Sequence, residues 1–351
     1  MVKKHLLIIN YSMDSGNPVF SHQIQTVREL SKEFHKVTVI TGEAPNEPVP
    51  ANIDVYITNW NPGNNIRNGV SFLKVFLKVL VANPRFTVFS HMTEVQSALI
   101  APITKIFRIK HFLWYAHASK SLYLSWNNFW VDGIITSTPG SCPLHGKKIH
   151  VIGQAIDNNL FFPRSNKSIN LQNLIHIGRF DKSKNISELI QVTKAIRSQG
   201  KNLTLHIFGS PSNAENEIYQ KKVIQDNHLN IKDGWLTFSP SILREKIPET
   251  LTEYDIFLHA FQGSLDKTIV EATFMCLPVV TTNKEYLNEF GGWIYGPTSL
   301  NLQAQLLALL NTPQKEIKSI LEVRYQIASE SHSLDGWIKN LVQILKSEDV
   351  N

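Results

Sequence analysis

Short uninterrupted apolar runs alternate with helix-spaced stretches along this chain, and the alternation occurs twice. Leu6-Leu7-Ile8-Ile9 is a continuous apolar run, the pattern of a parallel strand buried on both faces. Asp14-Ser15-Gly16-Asn17-Pro18 is loop chemistry, Val27, Leu30 and Phe34 recur at helical spacing, and Val37 to Thr41 is a second strand. That makes one βαβ unit in about 40 residues. Strands are predicted again at 55–57, 86–89, 111–115, 133–136 and 149–152, with helices at 70–81 and 94–107. A second series places strands at 174–177, 203–208, 256–258 and 278–280. Helices intervene at about 185–199, 214–226, 241–253 and 268–276, and Leu334, Ile338, Leu341 and Leu345 mark a terminal helix. Two such series imply an α/β protein of two Rossmann-like, doubly wound domains facing across a cleft. The polar stretch Arg164-Ser165-Asn166-Lys167-Ser168 sets the expected boundary, giving domains 1–163 and 164–333, with the helix from 334 to 351 packing back on the first.

The length of 351 residues suits two domains, and 42% hydrophobic with 18% charged residues excludes disorder. Cys142 and Cys276 lie far apart with no metal-like spacing, which fits idle thiols in a reducing compartment. The first apolar run ends at Asn10, short of a signal sequence, and no run approaches the ~20 residues that span a bilayer. The expectation is a cytoplasmic protein. Its net charge of +6 is unevenly divided: residues 1–163 hold 15 basic and 9 acidic side chains, residues 164–351 hold 20 of each. The first half is therefore expected to meet something anionic, a phosphorylated substrate or a membrane surface. Lys74 and Lys78 lie on an apolar helix, and Lys105, Arg108, Lys110 and His111 follow another. Basic residues beside apolar faces favour an anionic bilayer, although core-facing helices with solvated lysines read the same way.

Two segments carry chemistry. In the first, Leu174 to Gly178 ends a strand, Arg179-Phe180-Asp181-Lys182-Ser183-Lys184 forms a basic loop, and a helix begins near Asn185. Ligands of open α/β sheets bind at such strand ends. Arg179 can bridge phosphate oxygens with its fork and Lys184 adds a point charge beside a helix N-terminus. In the second, the polar loop Gly263-Ser264-Leu265-Asp266 leads into a helix whose first turns carry Lys267, Thr268 and Glu271. Its amides can meet phosphate or sugar hydroxyls, and Glu271 can accept from a ribose diol. Each piece alone is also what a basic surface loop or a capping glutamate looks like. There is no Asp-x-Asp and no paired histidine spacing, so no metal is expected. No Gly-x-Gly-x-x-Gly follows a strand, which argues against a dinucleotide oxidoreductase.

Together the pieces resemble the family 4 retaining glycosyltransferases of GT-B fold, also known as bacterial glycosyl transferases group 1, over nearly the whole chain. The matching segments are the Gly16-Asn17 loop, Leu113 to His117, Val151 to Asp157, Ile177-Gly178-Arg179 with Lys184-Asn185, Ile207-Phe208-Gly209, and Leu265 to Glu271. The resemblance implies that Arg179 and Lys184 hold the diphosphate of a UDP- or GDP-linked sugar and that Glu271 holds the ribose. It places Gly16, Gly209 and the amides of Asp266, Lys267 and Thr268 against the donor, and His117 at the donor sugar or its phosphate. Asn17 and His22 are assigned to a glycan or lipid-linked acceptor, His22 also reading as a helix-start residue. No cofactor beyond the nucleotide-sugar substrate is implied, and no nucleic acid. The chain departs from the family at Gly263, eight residues before Glu271, where a glutamate usually contacts the transferred sugar. Asp266, Gln262 or loop backbone are the alternatives for that contact. The expected reaction is sugar transfer with retention, through an oxocarbenium-like state and without an enzymic nucleophile. Two rival readings are a non-catalytic membrane-surface or glycan-binding protein of this fold and a sugar-nucleotide epimerase.

Overall fold

The computed structural model describes residues 4–17, 20–58, 60, 64–163 and 170–347. The chain divides into two compact units, one of residues 1–153 with 335–351, the other of residues 154–334. The connector 164–168 lies outside the described residues. The division falls about ten residues before it, for a physical reason. The Gln154 amide donates to His332 Nδ1 and its side chain to the Leu265 carbonyl, Ile156 pairs with Ser333, and Phe161 is fully buried in the second unit's core.

In the first unit, β1 (His5–Asn10), α1 (His22–Glu33), β2 (Lys36–Thr41), β3 (Ile53–Ile57), α2 (Asn65–Ala82) and β4 (Thr87–His91) come first. They are followed by α3 (Glu94–Ile106), β5 (His111–Trp114), α4 (Leu122–Trp130), β6 (Gly133–Thr136) and β7 (Ile149–Val151). All seven strands are parallel, in the order β3-β2-β1-β4-β5-β6-β7. Right-handed crossovers then place α2, α3 and α4 on one face of the sheet. The side chains agree: Phe72 and Phe76 of α2 cluster with Leu7, Ile9 and Val88, and Leu124 of α4 with Leu113 and Ile134. Phe89 and Trp114, on alternate positions, meet Trp337 on the other face.

The second unit runs β8 (Asn173–Ile177), α5 (Ile186–Arg197), β9 (Thr204–Phe208), α6 (Ala214–Asp226), α7 (His228–Lys232) and β10 (Leu236–Ser239). It continues with α8 (Ile247–Thr252), β11 (Ile256–His259), α9 (Lys267–Phe274), β12 (Val279–Thr281), α10 (Lys284–Phe290), α11 (Leu302–Asn311) and α12 (Gln314–His332). Its five parallel strands are ordered β10-β9-β8-β11-β12. Leu174, Leu205, Ile256 and Val280 bury one face of this sheet, and Ile175, Ile177, Phe257 and Val279 the other. The last helix, α13 (Leu334–Lys346), returns to the first unit, where Trp337, Leu341 and Leu345 are buried and Lys4 and Lys110 donate to its terminal carbonyls. No described helix is long and apolar enough to cross a membrane.

Candidate functional site

In each sheet the strand order reverses between the first and fourth strands of its unit, and crevices at such switch points are where open α/β sheets bind ligands. In the second unit the switch point lies between β8 and β11, and the two segments singled out in the sequence follow those two strands. Gly178 ends β8. Gly209, at the end of β9, approaches so closely that a Cβ there would lie 2.1 Å from the Gly178 carbonyl oxygen, so no other residue fits. Arg179 follows with a half-exposed side chain, its guanidinium 3.4 Å from Asp181, whose carboxylate also accepts from Ser212. Asn185 then takes a left-handed conformation, φ 51°, to start α5, and its side chain donates to the carbonyl of Ala260 just beyond β11.

Lys184 is where the two strand ends meet. Its side chain is only 8% exposed and its ammonium is bonded to Asp266, the residue before α9. The same carboxylate oxygen, Oδ2, lies 3.2 Å from His259 Nε2 at the end of β11. Burial alone would raise the Asp266 carboxyl, but Lys184 and His259 outweigh it and hold it well below the usual range. Burial pushes His259 down, so its imidazole is neutral, with Nδ1 2.9 Å from the Thr281 hydroxyl. The Lys184 ammonium also stands 4.2 Å from the centre of the Phe261 ring.

Glu271, 2% exposed on α9, forms the second buried pair, with Arg244 at 2.6 Å on Oε1. Arg244 stacks over Phe161 and neighbours Lys267, whose ammonium is lowered to about 7 by burial first and Arg244 second. The Thr268 hydroxyl is buried without a hydrogen-bond partner. Arg179, Lys184, Gly209, Asp266, Lys267, Thr268 and Glu271 thus all belong to the second unit. Within them, Lys184 and Asp266 form one ionic cluster and Glu271 and Lys267 another.

The remaining expected residues belong to the first unit. Gly16 is exposed in the β1–α1 loop with its amide on Asp14, and its φ is not left-handed. The Asn17 side chain is engaged with the protein itself, accepting from the Phe20 amide and donating to Glu43. His22 opens α1, its ring edge-on to His91 of β4 at 5.9 Å. His117 is exposed on the loop after β5, edge-on to Tyr115.

Sequence reasoning missed Arg244, Asn283, Gln23 and His259. Arg244 lies within the stretch 241–253 read as one helix, but the structure starts α8 only at Ile247 and puts Arg244 on the short turn before it, after a strand that was not predicted, β10. Asn283 is fully buried and donates to the carbonyls of Phe261, Gly263 and Ser264, fixing the loop that ends in Asp266. Gln23 does the same for the first unit, accepting from the amides of Tyr11 and Ser12. Only pairing along the chain's tertiary contacts reveals them; His259, at the end of an apolar run, carried the one local signal.

A family model described as "Glycosyl transferases group 1" matches residues 172–311. No curated protein matches the sequence. Among solved structures the chain is similar to Anabaena HepE in complex with UDP and glucose, at 16% identity and TM-score 0.71, covering 98% of this chain and 99% of that one. It is similar to sucrose-phosphate synthase from Thermosynechococcus elongatus, at 14% identity and TM-score 0.76, covering 97% and 98%. It is also similar to a glycosyltransferase from Rickettsia africae, at 13% identity and TM-score 0.71, covering 98% of each. The fold of the chain is the GT-B fold of these neighbours, and its residues 172–311 are those that resemble group 1 glycosyl transferases in sequence.

Proposed function

We propose that this protein is a glycosyltransferase that moves a sugar from a nucleotide-diphosphate sugar to a saccharide or lipid-linked acceptor, with retention at the anomeric carbon. The observation that supports it best is the coincidence of the family match with the switch point of the second sheet, where Arg179, Lys184 and the start of α9 follow adjacent strands. In this reading Arg179 is the phosphate ligand, since its half-exposed guanidinium holds one weak ionic partner among the described residues. Lys184 compensates charge from below, and leaving-group charge is stabilised by both without a metal ion. Glu271, steadied by Arg244, offers its second oxygen to the ribose. The acceptor belongs to the first unit, around Asn17, His22 and His117. UDP is the first donor base to test, because HepE structures hold UDP and UDP-glucose. Incubation with UDP-, GDP- and ADP-sugars should release nucleotide diphosphate from one of them. Absence of release and of binding across the whole set would sink the enzymatic reading and leave the non-catalytic one.

Peripheral attachment to an anionic membrane belongs to the same proposal, and the layer of α2, α3 and α4 supports it. Residues 64–131 hold eight basic side chains and one acidic, Glu94. The same stretch exposes Val81, Ile106, Phe107, Leu122, Trp126 and Phe129, so apolar and basic side chains alternate along it. Co-sedimentation with phosphatidylglycerol vesicles, absent with phosphatidylcholine ones, is the expected result; equal recovery with both would refute it.

A further inference from the structure

In the donor reading the loop between β11 and α9 meets the sugar that the donor carries, and its geometry leaves one charged acceptor for that task. Gly263 offers no side chain and cannot gain one as the loop stands. A Cβ there would fall 2.1 Å from Cζ of Phe261, whose ring fills that space and lies against the Lys184 ammonium. Gln262 is exposed and uncharged, its amide nitrogen donating to the Thr282 hydroxyl. The carbonyls of Phe261, Gly263 and Ser264 all accept from Asn283 Nδ2. Thr268 Oγ1 has no partner but is buried from solvent.

Asp266 differs from all of these. Oδ2 takes both Lys184 and His259, while Oδ1 takes no hydrogen bond among the described residues. The side chain is 16% exposed, so this ionised group, held rigid by two partners through one oxygen, keeps the other for an incoming donor. A carboxylate fixed in this way accepts a hydroxyl strongly and rejects an analogue that lacks it, because its desolvation is then uncompensated. We propose that Asp266 is the sugar-specificity residue of this site, its Oδ1 accepting a hydroxyl of the transferred sugar while Lys184 and His259 hold it in place. The inference rests on the donor reading above.

The test compares each bare nucleotide with its sugar derivative: UDP with UDP-glucose and UDP-N-acetylglucosamine, and GDP with GDP-mannose, by calorimetry. Asp266→Asn keeps the shape but loses the charge. The extra affinity of the preferred sugar nucleotide over its bare nucleotide should fall about tenfold or more. The bare nucleotide itself should be held no more weakly, since a negative charge near its phosphates has gone. Asp266→Glu retains the charge and the pairing while moving the oxygen by about one methylene, and should reorder the sugars. Melting curves of both variants confirm that they are folded. If nucleotide and sugar nucleotide weaken by the same factor in Asp266→Asn, or if the sugar ranking survives in Asp266→Glu, Asp266 only partners Lys184 and the proposal is wrong. If the unaltered protein binds none of the probes, the donor reading falls first.

Discussion

The two sheets share a strand order but furnish their switch points with different chemistry. In the first unit the strands meet among His22, His91, Trp114 and Trp337, rings packed edge-on or tilted. In the second they meet at two buried ion pairs, Lys184 with Asp266 and Arg244 with Glu271. Topology therefore fixes where a ligand can sit, and the side chains decide what kind. An aromatic floor suits a sugar or other uncharged acceptor; paired charges suit a phosphorylated one, whose anion can share the cations already in place.

The two units differ most in stability at the ion pairs, because removing one partner leaves a buried charge without compensation. Arg244→Met strands Glu271 and should cost about 4 kcal/mol of unfolding free energy, and Lys184→Met strands the more accessible Asp266 at about 3 kcal/mol. Urea titration measures both. A cost under about 1 kcal/mol for either would mean that the pairs are surface-like.

How much of this was legible beforehand follows the same division. Strand ends such as Ile177-Gly178 and the helix starts near Asn185 and Lys267 announce themselves through local period and turn chemistry. The expected elements hold in type throughout, with β10, α4, α7 and the helices from 284 to 332 unpredicted because their apolar positions are sparse or their runs mixed. The basic loop and the Glu271 helix were visible as pieces. Their closing partners were not, since Arg244 lies 27 residues from Glu271, and Asp266 82 residues from Lys184. Long-range pairing has no local sequence signature.

A smaller effect sharpens what the units have in common. His111 in the first and His176 in the second are fully buried, and burial lowers each to about 3. Both are thus neutral when folded, against an unfolded value of about 6.5. The stability they allow is whole above pH 6.5 and is lost as pH falls through the window from 6.5 to about 3. Between pH 6.5 and 5 each should cost about 2 kcal/mol. Urea midpoints should drop over that range; a flat profile would show that the imidazoles titrate normally.

Gln23→Ala gives the smallest structural change of interest, about 1–2 kcal/mol, because it frees two loop amides in the first unit. It should leave nucleotide binding in the second unit unaltered. A loss of nucleotide affinity would mean that the β1–α1 loop belongs to the donor site after all.

In the proposed reading the loop after β8 holds a nucleotide diphosphate through Arg179. Arg179 contributes little to stability, since its side chain is half-exposed and the contact to Asp181, its one ionic partner among the described residues, is 3.4 Å long. Its loss can therefore be read as a binding effect. Calorimetric titration of UDP and GDP into the unaltered protein and into Arg179→Ala measures this contact. One nucleotide should bind, and the variant should bind it about tenfold or more weakly, with an unchanged melting temperature. Equal affinity in both proteins would contradict it.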